Sequence, residues 1–251
     1  MTGSNVGPAR DRGRDPLDGI ELVIFDKDGT LIDFQSMWGA WVRDLAEDLE
    51  QATGLALTDP LFELLGIDRE RGLVRSHGLL AATPMARIRE HVVALLRDQG
   101  LVEPEAEAAV ASAWRPPDPV SLARPVTDLR ELLSGLRASG RRLAVATSDD
   151  RIPTERTLAG LGIADLFDEL ACADDGEPVK PSPAAVLRLC ANLGVPPSRS
   201  AVVGDSPADL AMGRAAGAGQ VIAVLTGVAE RSALEPLADF VLPSIAGLAP
   251  G

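Results

Sequence analysis

Four short polar motifs contain the side chains of this 251-residue sequence that are best suited to chemistry. The first, Asp-Lys-Asp-Gly-Thr, extends from Asp26 to Thr30 and directly follows an apolar run. In an extended segment the side chains at i and i+2 point the same way, so Asp26 and Asp28 can face one site. Gly29 allows the backbone to approach a ligand closely. An ordinary turn is the competing interpretation, because Asp and Gly are common turn residues.

The second and third motifs offer hydroxyl groups and an ammonium group. Thr147 and Ser148 follow another apolar run and provide hydroxyls and backbone N–H groups, although such residues more often cap a helix. Lys180 is one of only two lysines among 24 basic residues. A lysine in an arginine-rich chain predicts a site for a compact charge that touches a nucleophile and a phosphoryl oxygen. A solvated loop lysine is the alternative.

The fourth motif, Gly-Asp-Ser-Pro-Ala-Asp, adds two further carboxylates at Asp205 and Asp209. Carboxylates gathered near Asp26 and Asp28 would repel one another unless a cation neutralised them. Oxygen ligands at a phosphate-handling site favour Mg²⁺. For Asp209, a capping acid at a helix N-terminus is an equally good interpretation.

Buried parallel strands are predicted where short apolar runs end in polar or glycine-containing turns. The runs are Leu22–Phe25, Leu143–Ala146, Ala201–Val203 and Val221–Leu225, with a weaker one at Phe240–Leu242. Helical periodicity lies between them, as in the segments that end at Gly140 and Gly194. The sequence therefore predicts an α/β fold with a Rossmann-like parallel sheet. The crevice at the carboxyl ends of its strands would collect the four motifs.

A mostly helical stretch interrupts this alternation and predicts an inserted helical cap domain. The predicted division is a flexible tail (1–18), a core domain (19–33 and 125–251) and the cap domain (34–124). Within the cap domain we expect Ser36 to cap the first helix, Thr83 and Pro84 to begin a second, and Pro104 to begin a third. The proline-rich segment Arg115–Pro119 is predicted to be a hinge.

Composition limits the classes of partner. Hydrophobic residues form 46% of the chain and charged residues 24%, which is typical of a soluble globular protein. A net charge of −13 opposes binding to nucleic acid, so a small-molecule partner is favoured. No apolar run approaches the roughly 20 residues that cross a membrane. With only two cysteines as well, we expect a cytoplasmic protein.

Taken together and in order, the four motifs resemble those of haloacid dehalogenase superfamily phosphatases, and the insertion resembles the helical cap of their first type. The segments Val224–Gly227 and Ala238–Val241 are similar to the ending of phosphoglycolate-phosphatase-like members. The resemblance implies a Mg²⁺-dependent phosphatase acting on a small phosphorylated metabolite. Asp28 argues against dehalogenase and phosphonate-cleaving activity, because the members with those activities lack this second acid.

The resemblance also implies a role for each motif residue. Asp26 would be the nucleophile, Asp28 the acid and base, and Thr147 and Lys180 would complete the catalytic set. Phosphate would be bound by Gly29, Thr147, Ser148 and Lys180, and the metal by Asp26, Asp28, Asp205 and Asp209.

Several alternatives stay open at this stage. A sugar phosphomutase of the same superfamily would share all four motifs, and a catalytically silent module with this fold would bind without turnover. Sugar, nucleotide and amino-acid phosphates are open substrates beside phosphoglycolate.

The role of Lys27 is also open, since many relatives have an apolar residue at this position. Its side chain could contact the cap or the core, and we expect it to be solvated. Substrate choice is assigned to the loop 66–78 and to the start of the insertion at 36–41. The candidate residues in the loop are Arg69, Arg71, Arg75 and His77. For each of them, a solvated charged side chain is favoured over a contact with substrate.

Overall fold

The computed structural model describes residues 15–69, 73–75, 78–82, 85–115 and 123–250. Within these residues six parallel strands form one sheet in the order β3-β2-β1-β4-β5-β6. The strands are β1 (Leu22–Phe25), β2 (Arg142–Ala146), β3 (Glu169–Ala171), β4 (Ser200–Gly204), β5 (Gln220–Val224) and β6 (Phe240–Leu242). The helices are α1 (Phe34–Thr53), α2 (Thr58–Leu65), α3 (Leu79–Ala82), α4 (Met85–Asp98), α5 (Glu103–Ala113), α6 (Leu129–Ala138), α7 (Arg151–Gly160), α8 (Ala184–Leu193), α9 (Pro207–Ala216) and α10 (Arg231–Leu234).

The Rossmann-like parallel sheet that the sequence predicts is confirmed. The bounds of β1 and β6 are as predicted. Strand β2 begins one residue earlier than predicted, and β4 and β5 differ from the prediction by one residue at each end. Strand β3 was not predicted, because it has three residues, begins with a glutamate and is only half-buried over its first two positions. Such a short segment carries too little hydrophobic periodicity to be recognised.

The strand register brings the carboxyl ends of the central strands together. Phe25, the last residue of β1, pairs with Val145 of β2 on one side and with Val203 of β4 on the other. The strand order reverses direction between β1 and β4, which is the switch point where open α/β sheets bind ligands. The residues that follow β1, β2 and β4 therefore emerge around one crevice.

Successive side chains of β1 point to opposite faces of the sheet, so this strand contributes to the hydrophobic core on both faces. Val23 and Phe25 pack on one face of the sheet with the apolar side of α6, and Leu22 and Ile24 pack on the other face with α8 and α9. All four side chains are fully buried, and each such burial stabilises the fold by about 1.5–3 kcal/mol. The first chemical motif thus leaves a strand that is held from both faces.

An ion-pair network holds the region next to edge strand β3. Asp175 accepts hydrogen bonds from the Cys172 N–H at 2.9 Å, from Arg151 Nη2 at 2.8 Å and from Arg188 Nη2 at 2.7 Å. Burial opposes ionisation of Asp175, but the Cys172 N–H and the Arg151 guanidinium hold its pKa below the usual value. These contacts join α7 and α8 to the turn after β3.

The helices α1–α5 share a hydrophobic cluster of their own, distinct from the two layers on the sheet. Trp41 lies at its edge in T-shaped contact with Trp38 and Trp114, with ring centroids 5.6 and 5.3 Å apart. Its Nε1 donates to the Arg115 carbonyl at 2.7 Å. No helix among the described residues is both long and apolar enough to cross a membrane.

The predicted start of the first inserted helix, directly after Ser36, is wrong by three residues. Helix α1 begins at Phe34, and Ser36 lies inside it. The Asp33 carboxylate accepts a hydrogen bond from the Gln35 N–H at 3.0 Å, so an acid just before the helix satisfies this free N–H. Pro104 lies in the first turn of α5, as predicted.

Some sequence predictions fall on residues outside the described part. The first 14 residues of the predicted tail, Thr83, Pro84 and the prolines of the predicted hinge lie there.

Two chain segments connect the sheet to the helical insertion, and backbone hydrogen bonds join them. The Asp33 N–H donates to the Arg124 carbonyl at 2.7 Å, and the Val126 N–H donates to the Leu31 carbonyl at 3.1 Å. The outgoing and returning segments therefore run side by side. The exact division into domains stays a prediction.

Candidate active site

A buried lysine joins two carboxylates at the switch point. Lys180 Nζ lies 2.5 Å from Asp26 Oδ1 and 2.6 Å from Asp209 Oδ1. Asp26 follows β1 directly, its own N–H donating to the Val203 carbonyl at 2.9 Å. Three motifs that are far apart in the sequence thus meet at one point, and Lys180 is not a solvated loop residue.

Asp205 completes a cluster of acids. Carboxylate oxygens of Asp26, Asp205 and Asp209 lie within 4.8 Å of one another, and all three residues are buried. Burial raises the pKa of Asp26 to about 7, although the Lys180 ammonium counteracts this. Burial, reinforced by the charges of Asp26 and Asp209, raises the pKa of Asp205 well above its usual value. Burial disfavours the ammonium of Lys180, but the same two carboxylates raise its pKa.

Asp209 caps helix α9 and also faces the site, while its role as a metal ligand stays a prediction. It lies at the third position of α9, where its Oδ2 accepts from the Ser206 N–H at 3.1 Å and from the Ser206 hydroxyl at 2.6 Å. The Asp209 N–H donates back to Ser206 Oγ at 3.2 Å, which completes a capping box. Oδ1 remains directed at Lys180. One carboxylate therefore closes a helix end and contributes to the site.

Two glycines make room for the Asp205 carboxylate. Gly29 has φ +87°, and a Cβ there would lie 2.5 Å from Asp205 Oδ2. A Cβ at Gly227 would overlap the same oxygen. The Thr226 hydroxyl donates to the Gly29 carbonyl at 2.5 Å, which ties the loop after β5 to the first motif. The backbone thus encloses this carboxylate more closely than side chains would permit.

Lys27 is buried, which corrects the expectation that it is solvated. Its side chain is 2% exposed, with Nζ 2.5 Å from Asp28 Oδ2 and 2.9 Å from Asp149 Oδ2. Burial opposes its charge, yet the two carboxylates hold the pKa of Lys27 above its usual value. Burial also raises the pKa of Asp28, with Lys27 counteracting. The sequence does not indicate this ion pair, because Asp149 is far from Lys27 in the chain and no local pattern links the two residues.

The second motif lies beside the first. Thr147 is buried at the end of β2, and its Oγ1 accepts from the Asp149 N–H at 3.1 Å. Its own N–H donates to the Ala171 carbonyl at 2.9 Å, while Ser148 is exposed. The Thr147 hydroxyl therefore belongs to a turn that is fixed on both sides.

The charged loop of the helical insertion supports the solvated interpretation. Arg69 pairs with Asp59, and Arg75 lies 3.8 Å from Asp68. Both arginine side chains are more than half exposed. Arg71 and His77 lie outside the described residues.

Gln35 links the helical insertion to the core, a contact that the sequence does not indicate. Its side-chain amide donates to the Val74 carbonyl at 3.2 Å and to the Gly227 carbonyl at 3.3 Å. Its Oε1 accepts from the Val74 N–H at 2.5 Å. One side chain therefore connects the start of α1, the loop after α2 and the loop after β5.

The acidic cluster fits a divalent cation. Its donors are carboxylate oxygens, the hard ligands that Mg²⁺ prefers. One ammonium faces three buried carboxylates, which leaves negative charge to be balanced. Asp209 Oδ1 has Lys180 Nζ 2.6 Å away, and a carboxylate oxygen can accept a second contact, so this oxygen keeps capacity for a ligand.

The fold and the site define the class of protein: an α/β enzyme with its site at the carboxyl edge of the sheet. The fold is a Rossmann-like parallel sheet, and an acidic cluster and a buried lysine lie at its switch point. The family model for haloacid dehalogenase-like hydrolases matches residues 20–217. The chain belongs to this family, as the sequence predicts.

Individual relatives support the same assignment. A phosphoglycolate phosphatase of Rhodospirillum rubrum is 32% identical over 80% of this chain and 78% of its own length. An N-acetylmuramic acid 6-phosphate phosphatase of Pseudomonas aeruginosa is 28% identical over 79% of each chain. A haloacid dehalogenase superfamily hydrolase of Geobacter sulfurreducens has the same fold, with TM-score 0.65, 20% identity, and coverage of 90% of this chain and 93% of its own.

Proposed function

We propose that the protein is a Mg²⁺-dependent phosphatase that hydrolyses a small phosphomonoester through an aspartyl-phosphate on Asp26. The observation that carries the proposal is the placement of Asp26 at the switch point, where it contacts Lys180. Asp28 follows two residues later in the chain. A carboxylate nucleophile divides one difficult hydrolysis into two easier displacements. The phosphatase names of the relatives agree with this chemistry.

In the first displacement an oxygen of Asp26 attacks phosphorus while the bond to the leaving oxygen breaks. Asp28 gives its proton to that oxygen, so the product leaves as an alcohol. In the second displacement Asp28 takes a proton from the water that attacks phosphorus. The bond between phosphorus and Asp26 breaks, inorganic phosphate departs, and Asp26 is again a free carboxylate. The raised pKa of Asp28 has the direction that an acid requires, and the assignment itself rests on the position of Asp28.

Charge stabilisation is assigned to the other motif residues. Lys180 would balance the charge on Asp26 and on the transferring phosphoryl group, since it already contacts Asp26. Thr147, Ser148 and backbone N–H groups after Asp26 would donate to phosphoryl oxygens. The Gly29 N–H already donates to the Ile32 carbonyl at 2.8 Å, so Gly29 would contribute the close approach of the backbone and not this donor.

Asp26, the Asp28 carbonyl, Asp205 and Asp209 would hold Mg²⁺. When bound, the ion supplies positive charge that offsets repulsion between the phosphate and these carboxylates. Such charge would favour the ionised form of Asp26, whose pKa is raised to about 7 by burial.

The insertion 34–124 would act as a cap on the core formed by 19–33 and 125–251, excluding water and reading the leaving group. The Gln35 contacts with Val74 and Gly227 are the described link that supports a closed arrangement. Phosphoglycolate is the first substrate to test because of the Rhodospirillum relative, and a sugar phosphate is the second because of the Pseudomonas relative.

The test is phosphate release from a panel of small phosphomonoesters, with Mg²⁺ and with chelator. Wild type is compared with Asp26→Asn and with Asp165→Asn, an exposed acid far from the site. We expect metal-dependent release that falls at least about a thousandfold in Asp26→Asn and is unchanged in Asp165→Asn. Equal activity in all three proteins would overturn the nucleophile assignment.

The same assay separates the remaining alternatives. Steady release of phosphate without a sugar acceptor would count against a phosphomutase. Absence of release from every ester would favour the mutase or a binding module.

A further inference from the structure

The buried ion pair of Lys27 is not used by the proposed mechanism. A lysine ammonium is costly to bury unless it is well paired, and Lys27 reaches two carboxylates at hydrogen-bonding distance. The side chains of Asp28 and Asp149 keep 25% and 44% of their surface exposed, whereas Lys27 is almost fully enclosed. The ammonium is therefore enclosed, while both of its carboxylate partners remain partly exposed.

The second carboxylate is itself anchored. The Asp149 N–H donates to Thr147 Oγ1 at 3.1 Å, and the Asp149 carbonyl accepts from the Ala173 N–H at 2.9 Å. Lys27 thus connects Asp28, after β1, to a turn that is fixed at the end of β2. A carboxylate on a loop would otherwise sample several rotamers, and a fixed contact limits that freedom.

We propose that Lys27 is a positioning residue for proton transfer by Asp28. It occupies Asp28 Oδ2, so that Oδ1 is the oxygen that carries the proton and meets the leaving group. As the bond from Asp26 to phosphorus forms and the ester bond breaks, this proton passes to the leaving oxygen and Asp28 becomes a carboxylate. The inference rests on the proposed function.

A matched pair of substrates separates positioning from a merely structural role. Phenyl phosphate and p-nitrophenyl phosphate differ by one nitro group, and p-nitrophenolate leaves readily without a proton. General acid catalysis contributes about 10²–10⁴-fold to rate, so Lys27→Met should lower kcat/KM at least about tenfold more for phenyl phosphate than for p-nitrophenyl phosphate. In the Asp28→Asn background the same substitution should have no further effect on this ratio.

Milder variants keep the test valid if Lys27→Met does not fold. Asp149→Asn removes one anchor at a partly exposed position and should shift the ratio in the same direction by a smaller factor. Lys27→Arg keeps a cation between the two carboxylates and should restore part of the ratio.

The outcomes are distinct. A change in the phenyl to p-nitrophenyl ratio, absent in the Asp28→Asn background, supports the inference. Equal losses on both esters, in a wild type whose activity depends on Asp26, overturn the inference and leave the proposed function standing. No release of phosphate by wild type, or full activity of Asp26→Asn, overturns both.

Discussion

Two glycines with nearly the same positive φ allow the close approach to Asp205 to be tested. Gly29 has φ +87° and Gly140 has φ +88°. Alanine at such an angle costs roughly 1–2 kcal/mol, so both Gly→Ala variants should lose about that much free energy of unfolding. Around Gly140, no non-neighbouring atom of the described residues lies within 4 Å of the new Cβ. Gly140→Ala therefore measures the backbone cost alone.

Gly29→Ala adds a steric effect on the site. Its Cβ would lie 2.5 Å from Asp205 Oδ2, whereas ordinary contacts begin at 3.4 Å, so the carboxylate or the loop must move by about 0.9 Å. A displacement of about 1 Å in a catalytic site costs about 100-fold in rate. We expect kcat/KM to fall about that much in Gly29→Ala and to remain at the wild-type value in Gly140→Ala.

The assay combines urea unfolding with phosphate release over a range of Mg²⁺ concentrations. Displacement of Asp205 should also raise the Mg²⁺ concentration that gives half-maximal activity in Gly29→Ala. If Gly29→Ala is as active as Gly140→Ala and needs no more Mg²⁺, the reasoning about this close approach is refuted.

Three further substitutions test other contacts. Lys180→Met should lower kcat/KM about 10²–10³-fold by removing the charge beside two carboxylates, and equal activity in a phosphate-release assay would contradict this. Asp175→Asn should lower the free energy of unfolding by about 1–3 kcal/mol in urea, because the bonds to Arg151 weaken, while kcat stays unchanged. Trp41→Phe loses the bond to the Arg115 carbonyl and should cost about 1–3 kcal/mol in the same measurement; an unchanged midpoint would mean that water replaces it.

The parallel sheet was readable from the sequence because its signals are local. β1, β2, β4 and β5 have four or five residues each, and nearly all of them are apolar or glycine. Strand β3 could not be predicted from the sequence, because it is held by contacts with distant residues. It pairs with β2, and Arg188 donates to the Glu169 carboxylate and to the Leu170 carbonyl. Helix α1 begins before Ser36 because the neighbouring Asp33 caps it, a choice between two capping residues that spacing alone did not resolve.

The sequence by itself determined which residues form the candidate site: Asp26, Asp28, Lys180, Asp205 and Asp209 follow predicted strands or precede helices in a recognisable order. Only the tertiary structure decided how they are paired.

Three features join residues that are far apart in the chain: the ion pair of Lys27 with Asp149, the contact between Lys180 and Asp209, and the space that Gly29 and Gly227 leave for Asp205. The physical reason is that sequence patterns report the burial of each segment. The pairing of buried charges depends on distances of a few ångströms, which the packing of strands and loops sets.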